Sequence, residues 1–275
     1  MLKDITLGQY FPGTSLLHRL DPRFKILLML VYIVLVFFAK SFFAFLYLLA
    51  LVVGLTLVSR ISFAAVLKGM KPILFISVFT AILNIFWTAG ETELVSFWVV
   101  KIYAEGLWRA LYMVLRIMAL VTGSSLLLTY TTTPMDLTDG LESLLSPLKK
   151  LRVPVHEFSM MMSLALRFVP TLIEETEKII NAQKARGVNF ESGSLLRRAR
   201  ALVPILIPLF ISSFTRATEL AVAMECRCYT GGEGRTRMNE LHLTVRDWLT
   251  FLSLTAACAA ILAFLWIPCP IGTVL

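Results

Sequence analysis

The sequence predicts an all-α polytopic membrane protein, with about five transmembrane helices and a long polar region holding one short amphipathic helix and two long ones. Three observations predict it. Of the 275 residues, 57% are hydrophobic and 16% charged, where soluble domains run at roughly 45–50% and about 25%; mean hydropathy is +0.78. Apolar runs of near-span length recur along the chain, since a span needs about 20 apolar residues with about 17 as a lower limit. The one extended polar region contains two helix-compatible runs that finish alike, Ala182-Gln183-Lys184-Ala185-Arg186-Gly187 and Ala223-Met224-Glu225-Cys226-Arg227-Cys228. The organisation expected is a cytoplasmic N-terminal lead-in over 1–25, a four-span block over 26–132, a cytosolic region over 133–244, and a final span with an outer tail over 245–275.

Residues 1–25 are polar and carry no cleavable signal, because Met1–Tyr10 has no apolar core. Asp21-Pro22 reads as a helix start, with Asp at the N-cap and Pro in the first turn. Arg19, Arg23 and Lys25 precede the first apolar stretch and place the N-terminus in the cytoplasm. From Ile26 to Val58 the only charge is Lys40. Two short spans, 26–40 and 41–58, return Arg60, Lys68 and Lys71 to the cytoplasm, whereas a single span leaves them outside. A third span is expected over 72–89. The loop after it holds Glu91, Glu93 and Glu105 against Lys101 and is assigned to the outside, with Trp87, Trp98, Tyr103 and Trp108 as an interfacial aromatic belt. The fourth span, 106–129, contains Arg116. A charge within a span is a functional candidate by default; its bland reading is contact with a protein partner or a polar neighbour in the bundle.

Thr133-Pro134-Met135-Asp136 caps a helix expected over 134–150, with Leu137, Leu141, Leu144, Leu145 and Leu148 on one face, as in an interfacial amphipathic element. A long helix follows over 155–186, kinked at Pro170. Gly187 ends it as a C-terminal glycine. A second long helix over 195–228 is bent by Pro204 and Pro208, with Gly231-Gly232 following its end. Its apolar part, Ala201–Phe214, is too short for a span and reads alternatively as a buried core helix packed on its predecessor. A hydrophilic linker, Gly231 to Leu243, leads to the last span over 245–267. Arg246 and Asp247 stand at its cytoplasmic side, and Trp266, Pro268 and Pro270 at the other.

The chemistry of an enzyme is missing. Gly231-Gly232-Glu233-Gly234-Arg235-Thr236 lacks the lysine and the preceding strand of a phosphate loop, and no GxSxG or HExxH is present. Cys226, Cys228, Cys258 and Cys269 include no CxxC and the three histidines are scattered, so no metal site, disulfide framework or cofactor is expected. The net charge of +8 is read as topology rather than as nucleic-acid binding. Glu174, Glu175 and Glu177 make a cation site or, more simply, a solvated face with Lys178 four residues after Glu174. Cys226 and Cys228 are a two-thiol site or small residues that permit close approach. An Arg at a helix end between small residues is able to enter a groove and meet carboxylates with its bidentate fork, or it is merely a solvated cation favoured by the helix dipole. Its appearance at the ends of two long helices favours docking.

These endings, together with Gly8-Gln9-Tyr10 and Leu20-Asp21-Pro22-Arg23-Phe24-Lys25, resemble the T component (EcfT, CbiQ-like) of energy-coupling factor transporters over nearly the whole chain. By that resemblance the protein is a non-enzymatic, multi-pass subunit of a bacterial plasma-membrane importer, and 133–244 is its coupling region. The family's x-Arg-x motifs fall on Ala185-Arg186-Gly187 and Cys226-Arg227-Cys228; the second departs from the commoner Ala-Arg-Gly by its two cysteines. The resemblance implies that these six residues dock two ABC ATPase subunits of the EcfA type, and that ATP-driven movement passes through the long helices to a membrane-embedded S component that binds a vitamin or other micronutrient. The run Met160-Met161-Met162 and the stretch Ala201–Phe214 would give an adaptable apolar surface for that partner, the Met run reading equally well as ordinary helix core. The alternatives are a dedicated cobalt or nickel importer of the same family, a polytopic membrane enzyme, and a self-contained channel or secondary transporter. The last would need polar residues at mid-membrane on several spans, and only Arg116 and Asn84 qualify.

Overall fold

Asp21 and Pro22 start the first long helix as expected: the Asp21 carboxylate accepts from the Arg23 backbone N–H at 2.8 Å, and Pro22 takes the first turn. In the computed structural model, which describes residues 10–39, 41–87, 93–97, 100–188, 190, 194–232 and 243–263, the chain is helical apart from one small hairpin. A short helix α1 (Leu16–Arg19) precedes α2 (Pro22–Phe38), α3 (Phe42–Ser59) and α4 (Phe63–Trp87). Strands β1 (Glu93–Phe97) and β2 (Val100–Tyr103) pair antiparallel, Val95 opposite Ile102 and Phe97 opposite Val100. Then come α5 (Ala104–Ser124), extended by a π-helical turn to Thr129, α6 (Pro134–Leu145) with a 3-10 turn to Leu151, α7 (Val155–Ala185), α8 (Leu195–Cys226) and α9 (Val245–Ala263). The expectations placed on Gly8, Gln9, Lys40, Glu91, Trp98, residues 233–242 and residues 264–275, Trp266, Pro268, Cys269 and Pro270 among them, lie outside the described residues.

Among the described residues four helices are long and apolar enough to cross a membrane: Phe42–Ser59, Phe63–Trp87, Ala104–Thr129 and Arg200–Cys226, the last containing the Ala201–Phe214 stretch that was expected to be too short. At 17 residues, α2 sits at the lower limit of span length. The third expected span differs at its start. Instead of beginning near Pro72, α4 begins at Phe63, where the Ser62 hydroxyl accepts from the Ala65 N–H. Lys68 and Lys71 therefore lie on its first turns, and Pro72 is carried inside the helix, as spans tolerate. The loop expected between Trp87 and the next span contains the β1–β2 hairpin.

The chain divides into two compact units, residues 8–141 with 241–275, and residues 142–240 with the first seven. In the first unit α2 is the central helix, packed on α5 and α9. Tyr32 is fully buried and donates to the Ala119 carbonyl at 2.7 Å; a Cβ on Gly123 would collide with its ring, so α5 approaches closest there. Phe24 stacks near Trp248 and Phe251 of α9, and Tyr47 donates to the Ala257 carbonyl at 2.7 Å. Lys25 is buried, and its ammonium donates to the carbonyls of Thr131 (2.8 Å) and His18 (3.3 Å) and to the Thr132 hydroxyl (3.1 Å). The Asp-Pro-Arg-x-Lys motif thus caps α2 and locks it to the end of α5. A Cβ on Gly140 would stand 2.9 Å from the Pro22 Cβ, so the same motif fixes the start of α6.

Both polar mid-span candidates have partners within this bundle. Arg116 donates to the Ala39 carbonyl at 2.9 Å, at the end of α2, and lies 5.5 Å from the Phe45 ring centroid. Asn84 donates to the Thr80 carbonyl at 2.8 Å and contacts the Met113 sulfur. Thr133 caps α6, accepting from the Asp136 N–H at 3.1 Å while donating to its carboxylate at 2.7 Å. At the start of α9 the Asp247 carboxylate accepts from both the Thr244 backbone N–H (2.9 Å) and the Thr244 hydroxyl (2.7 Å).

Candidate coupling ends of the two long helices

The second unit is built on α7 and α8. α7 continues past Pro170 and α8 past Pro204 and Pro208, each proline leaving one helical hydrogen bond unmade. The two helices meet where the Arg216 guanidinium donates to the Glu175 carboxylate at 2.7 Å, beside a small recess lined by Phe168, Leu172 and Ser213. A hydrogen bond from Ser212, and then the charge of Arg216, hold the Glu175 carboxyl below its ordinary value. Sequence reading missed this pair. The glutamate row had been assigned to a solvated face with Lys178, and a cross-helix partner 41 positions away leaves no local spacing to detect.

The two predicted endings fold into one motif. Arg186 occupies the C-cap of α7; Gly187 follows at φ +86°, its N–H donating to the Lys184 carbonyl at 3.0 Å while Val188 N–H donates to Gln183 at 3.0 Å. Arg227 occupies the C-cap of α8; Cys228 follows at φ +56°, donating to the Glu225 carbonyl at 2.9 Å, and Tyr229 N–H donates to Met224 at 3.0 Å. This pair of bonds is the Schellman termination. Cys228 thus terminates α8 three residues before Gly231-Gly232. It does so in a conformation that costs an L-residue roughly 1 kcal/mol and a glycine nothing. Ala185, Arg186, Gly187, Cys226, Arg227 and Cys228 are all exposed, and neither arginine has a salt bridge among the described residues.

The arginines are not brought together. Glu175 to Arg186 and Arg216 to Arg227 are each eleven residues, so each Arg stands roughly 16 Å beyond the bridge along its helix. The segment after Arg227 turns back onto the start of α7: a Cβ on Gly232 would collide with the His156 ring, and His156 pairs with Glu142 at 3.2 Å. Arg227 therefore lies on the His156 side of the bridge and Arg186 on the other. Each helix ends as a lever arm of equal length with a cation at its tip.

The expectation of a buried core stretch in α8 is not met. Leu206, Ile207, Phe210, Ile211 and Phe214 are each more than half exposed, and only Ile205 in that stretch is buried. Phe158, Met161 and Met162 of α7 are exposed as well. Cys226 and Cys228 are free thiols, and among the described residues no three His, Cys, Asp or Glu gather as metal ligands.

Apolar helices of span length, beside a unit of two bridged helices that both end in an exposed C-cap arginine, define a polytopic all-α membrane protein. Residues 13–238 match the family profile described as CbiQ, cobalt transport protein. The chain is 52% identical over 268 residues to a Clostridium kluyveri protein named energy-coupling factor transporter transmembrane protein EcfT, covering 97% of this chain and 99% of that one. Proteins of the same name from Ruminiclostridium cellulolyticum and Bacillus subtilis are 53% and 46% identical, over 90% and 96% of this chain and 92% and 99% of their own lengths. The chain belongs to this CbiQ/EcfT family of transporter transmembrane components.

Proposed function

We propose that the protein is the energy-coupling T component of an ECF-type ABC importer in the bacterial plasma membrane, with its N-terminus cytoplasmic and no catalytic site of its own. Arg186 and Arg227 dock two ABC ATPase subunits. Ala185 and Gly187, and Cys226 and Cys228, keep the approach to each guanidinium open. Residues 133–244 form the coupling region. The observation that carries this reading is the repeated C-cap arginine, exposed and without an ion partner among the described residues, at equal distance on opposite sides of the Glu175–Arg216 bridge. A cation at a helix C-terminus is favoured by the dipole, and a guanidinium without a partner is free to take a carboxylate from another subunit in bidentate fashion. Two such points let a pair of moving ATPases turn one helix against the other about the bridge.

The exposed apolar faces of α7 and α8 suit a membrane-embedded S component that carries the vitamin or other micronutrient. The family profile's description names cobalt transport; the relatives matching nearly the whole chain at about half identity bear the ECF name, and that favours the ECF reading over a dedicated metal importer.

Co-purification with candidate ABC ATPases tests the docking. Wild type should hold them. Arg186→Glu and Arg227→Glu should each weaken the complex, and the double variant, still folded in the membrane, should lose it. Equal binding by wild type and double variant would rule the arginine pair out as the anchor.

A further inference from the structure

α3 and α4 both pack on α5 yet scarcely touch one another. Between them runs an apolar cleft of about 170 Å³, bounded by Phe45, Val52 and Thr56 of α3, Phe63 and Met70 of α4, and Met118 of α5. All three helices are candidate spans, so the cleft opens toward hydrocarbon. We propose that it holds an acyl chain of one anionic phospholipid, whose headgroup lies against Arg60, Lys68 and Lys71.

Four features point to that occupant. Along α3 the cleft extends from Phe45 to Thr56, eleven residues or about 16 Å, which matches the ~15 Å hydrocarbon depth of a single leaflet. Its Thr56 and Phe63 end flanks the α3–α4 turn, where Arg60 stands exposed in the left-handed conformation. Lys68 and Lys71 are exposed on the first turns of α4. None of these three cations has an ion pair among the described residues, and the sequence holds no Asp or Glu between Asp21 and Glu91. Anionic headgroups are drawn to such a cluster of Lys and Arg beside the membrane. Finally, Thr122 lines the cleft with a buried hydroxyl that lacks a hydrogen-bond partner and that a side-chain rotation would bring to a lipid ester carbonyl.

The test uses the full chain, isolated in mild detergent and exchanged into phosphatidylcholine nanodiscs containing a minor fraction of phosphatidylglycerol. Lipid retained per chain is read by native mass spectrometry. Wild type should retain one phosphatidylglycerol in preference to phosphatidylcholine. The triple variant Arg60→Gln, Lys68→Gln, Lys71→Gln should lose that preference by roughly tenfold or more. Val53→Trp, at a partly exposed position on the cleft rim, should lose the retained lipid of both kinds while keeping the wild-type thermal midpoint. Retention of phosphatidylglycerol unchanged in both variants would overturn the proposal. So would a photo-crosslinker at Val53 that captures a protein chain instead of lipid.

Discussion

Cys228 shows most plainly what one residue does here. Its positive φ is required by the Schellman bonds that end α8, and glycine adopts it without the penalty a Cβ brings. Cys228→Gly should therefore raise thermal stability, by about 1 kcal/mol, and leave the arginine cap in place. At the other ending the same argument reverses: Gly187→Val should destabilise by a similar or larger amount, about 1–2 kcal/mol. A midpoint unchanged by both substitutions would mean that the two ends do not share this termination. Lys25 gives a second residue-scale expectation. Lys25→Met removes the donor that satisfies the Thr131 carbonyl in a buried setting and should cost about 1–3 kcal/mol, read as a lowered midpoint in detergent. Both residues stood out in the sequence for their motifs, but their tasks did not. Spacing showed a cap at Asp21 and an ending at Arg227, whereas the left-handed turn at Cys228 and the partners of Lys25, more than a hundred positions away, follow from the folded backbone.

At the scale of elements, the junction of α7 and α8 depends on one ion pair set in an otherwise modest contact. The pair is partly solvated, so by itself it should be worth only about 0.2–1 kcal/mol; in the proposed mechanism its role is to fix where the helices pivot. The pH dependence has a definite sign. Because the carboxyl is held below its ordinary value of 4.5, the contribution is fully present above that pH and is lost as pH falls through the lowered value. Glu175→Gln should abolish this acid sensitivity and leave neutral-pH stability nearly intact. The charge exchange Glu175→Arg with Arg216→Glu should restore what either single change removes from ATP-driven uptake; failure of the exchange would leave the bridge no part in transmission. The elements themselves were largely legible. The caps at Asp21 and Thr133 follow from side chains acting on adjacent backbone, and the end of α7 from the glycine at 187. The early start of α4 at Phe63 was hidden by Lys68 and Lys71, which read as loop charges although a helix end at the membrane surface accommodates them. The exposed apolar face of α8 was hidden for the opposite reason, since a run of leucine, isoleucine and phenylalanine has the same appearance whether it faces a core, a bilayer or a partner.

At the scale of the whole molecule, composition determined the class and two local motifs the family, while the equal eleven-residue arms became visible only once Glu175 and Arg216 were seen to touch. The proposed docking rests on that symmetry: two helices of comparable length, bridged near one point, each ending in an arginine without an ion pair among the described residues. The measurement that tests it most directly is site-specific photo-crosslinking in membranes that also contain the ABC ATPases, with the reactive residue at Ala185 or Cys226 and a control at the exposed Ala165 of α7. Each tip position should yield an adduct of the chain with one ATPase subunit, and the control none. Capture of no ATPase at either tip, with the protein still inserted and folded, would contradict the docking of these helix ends.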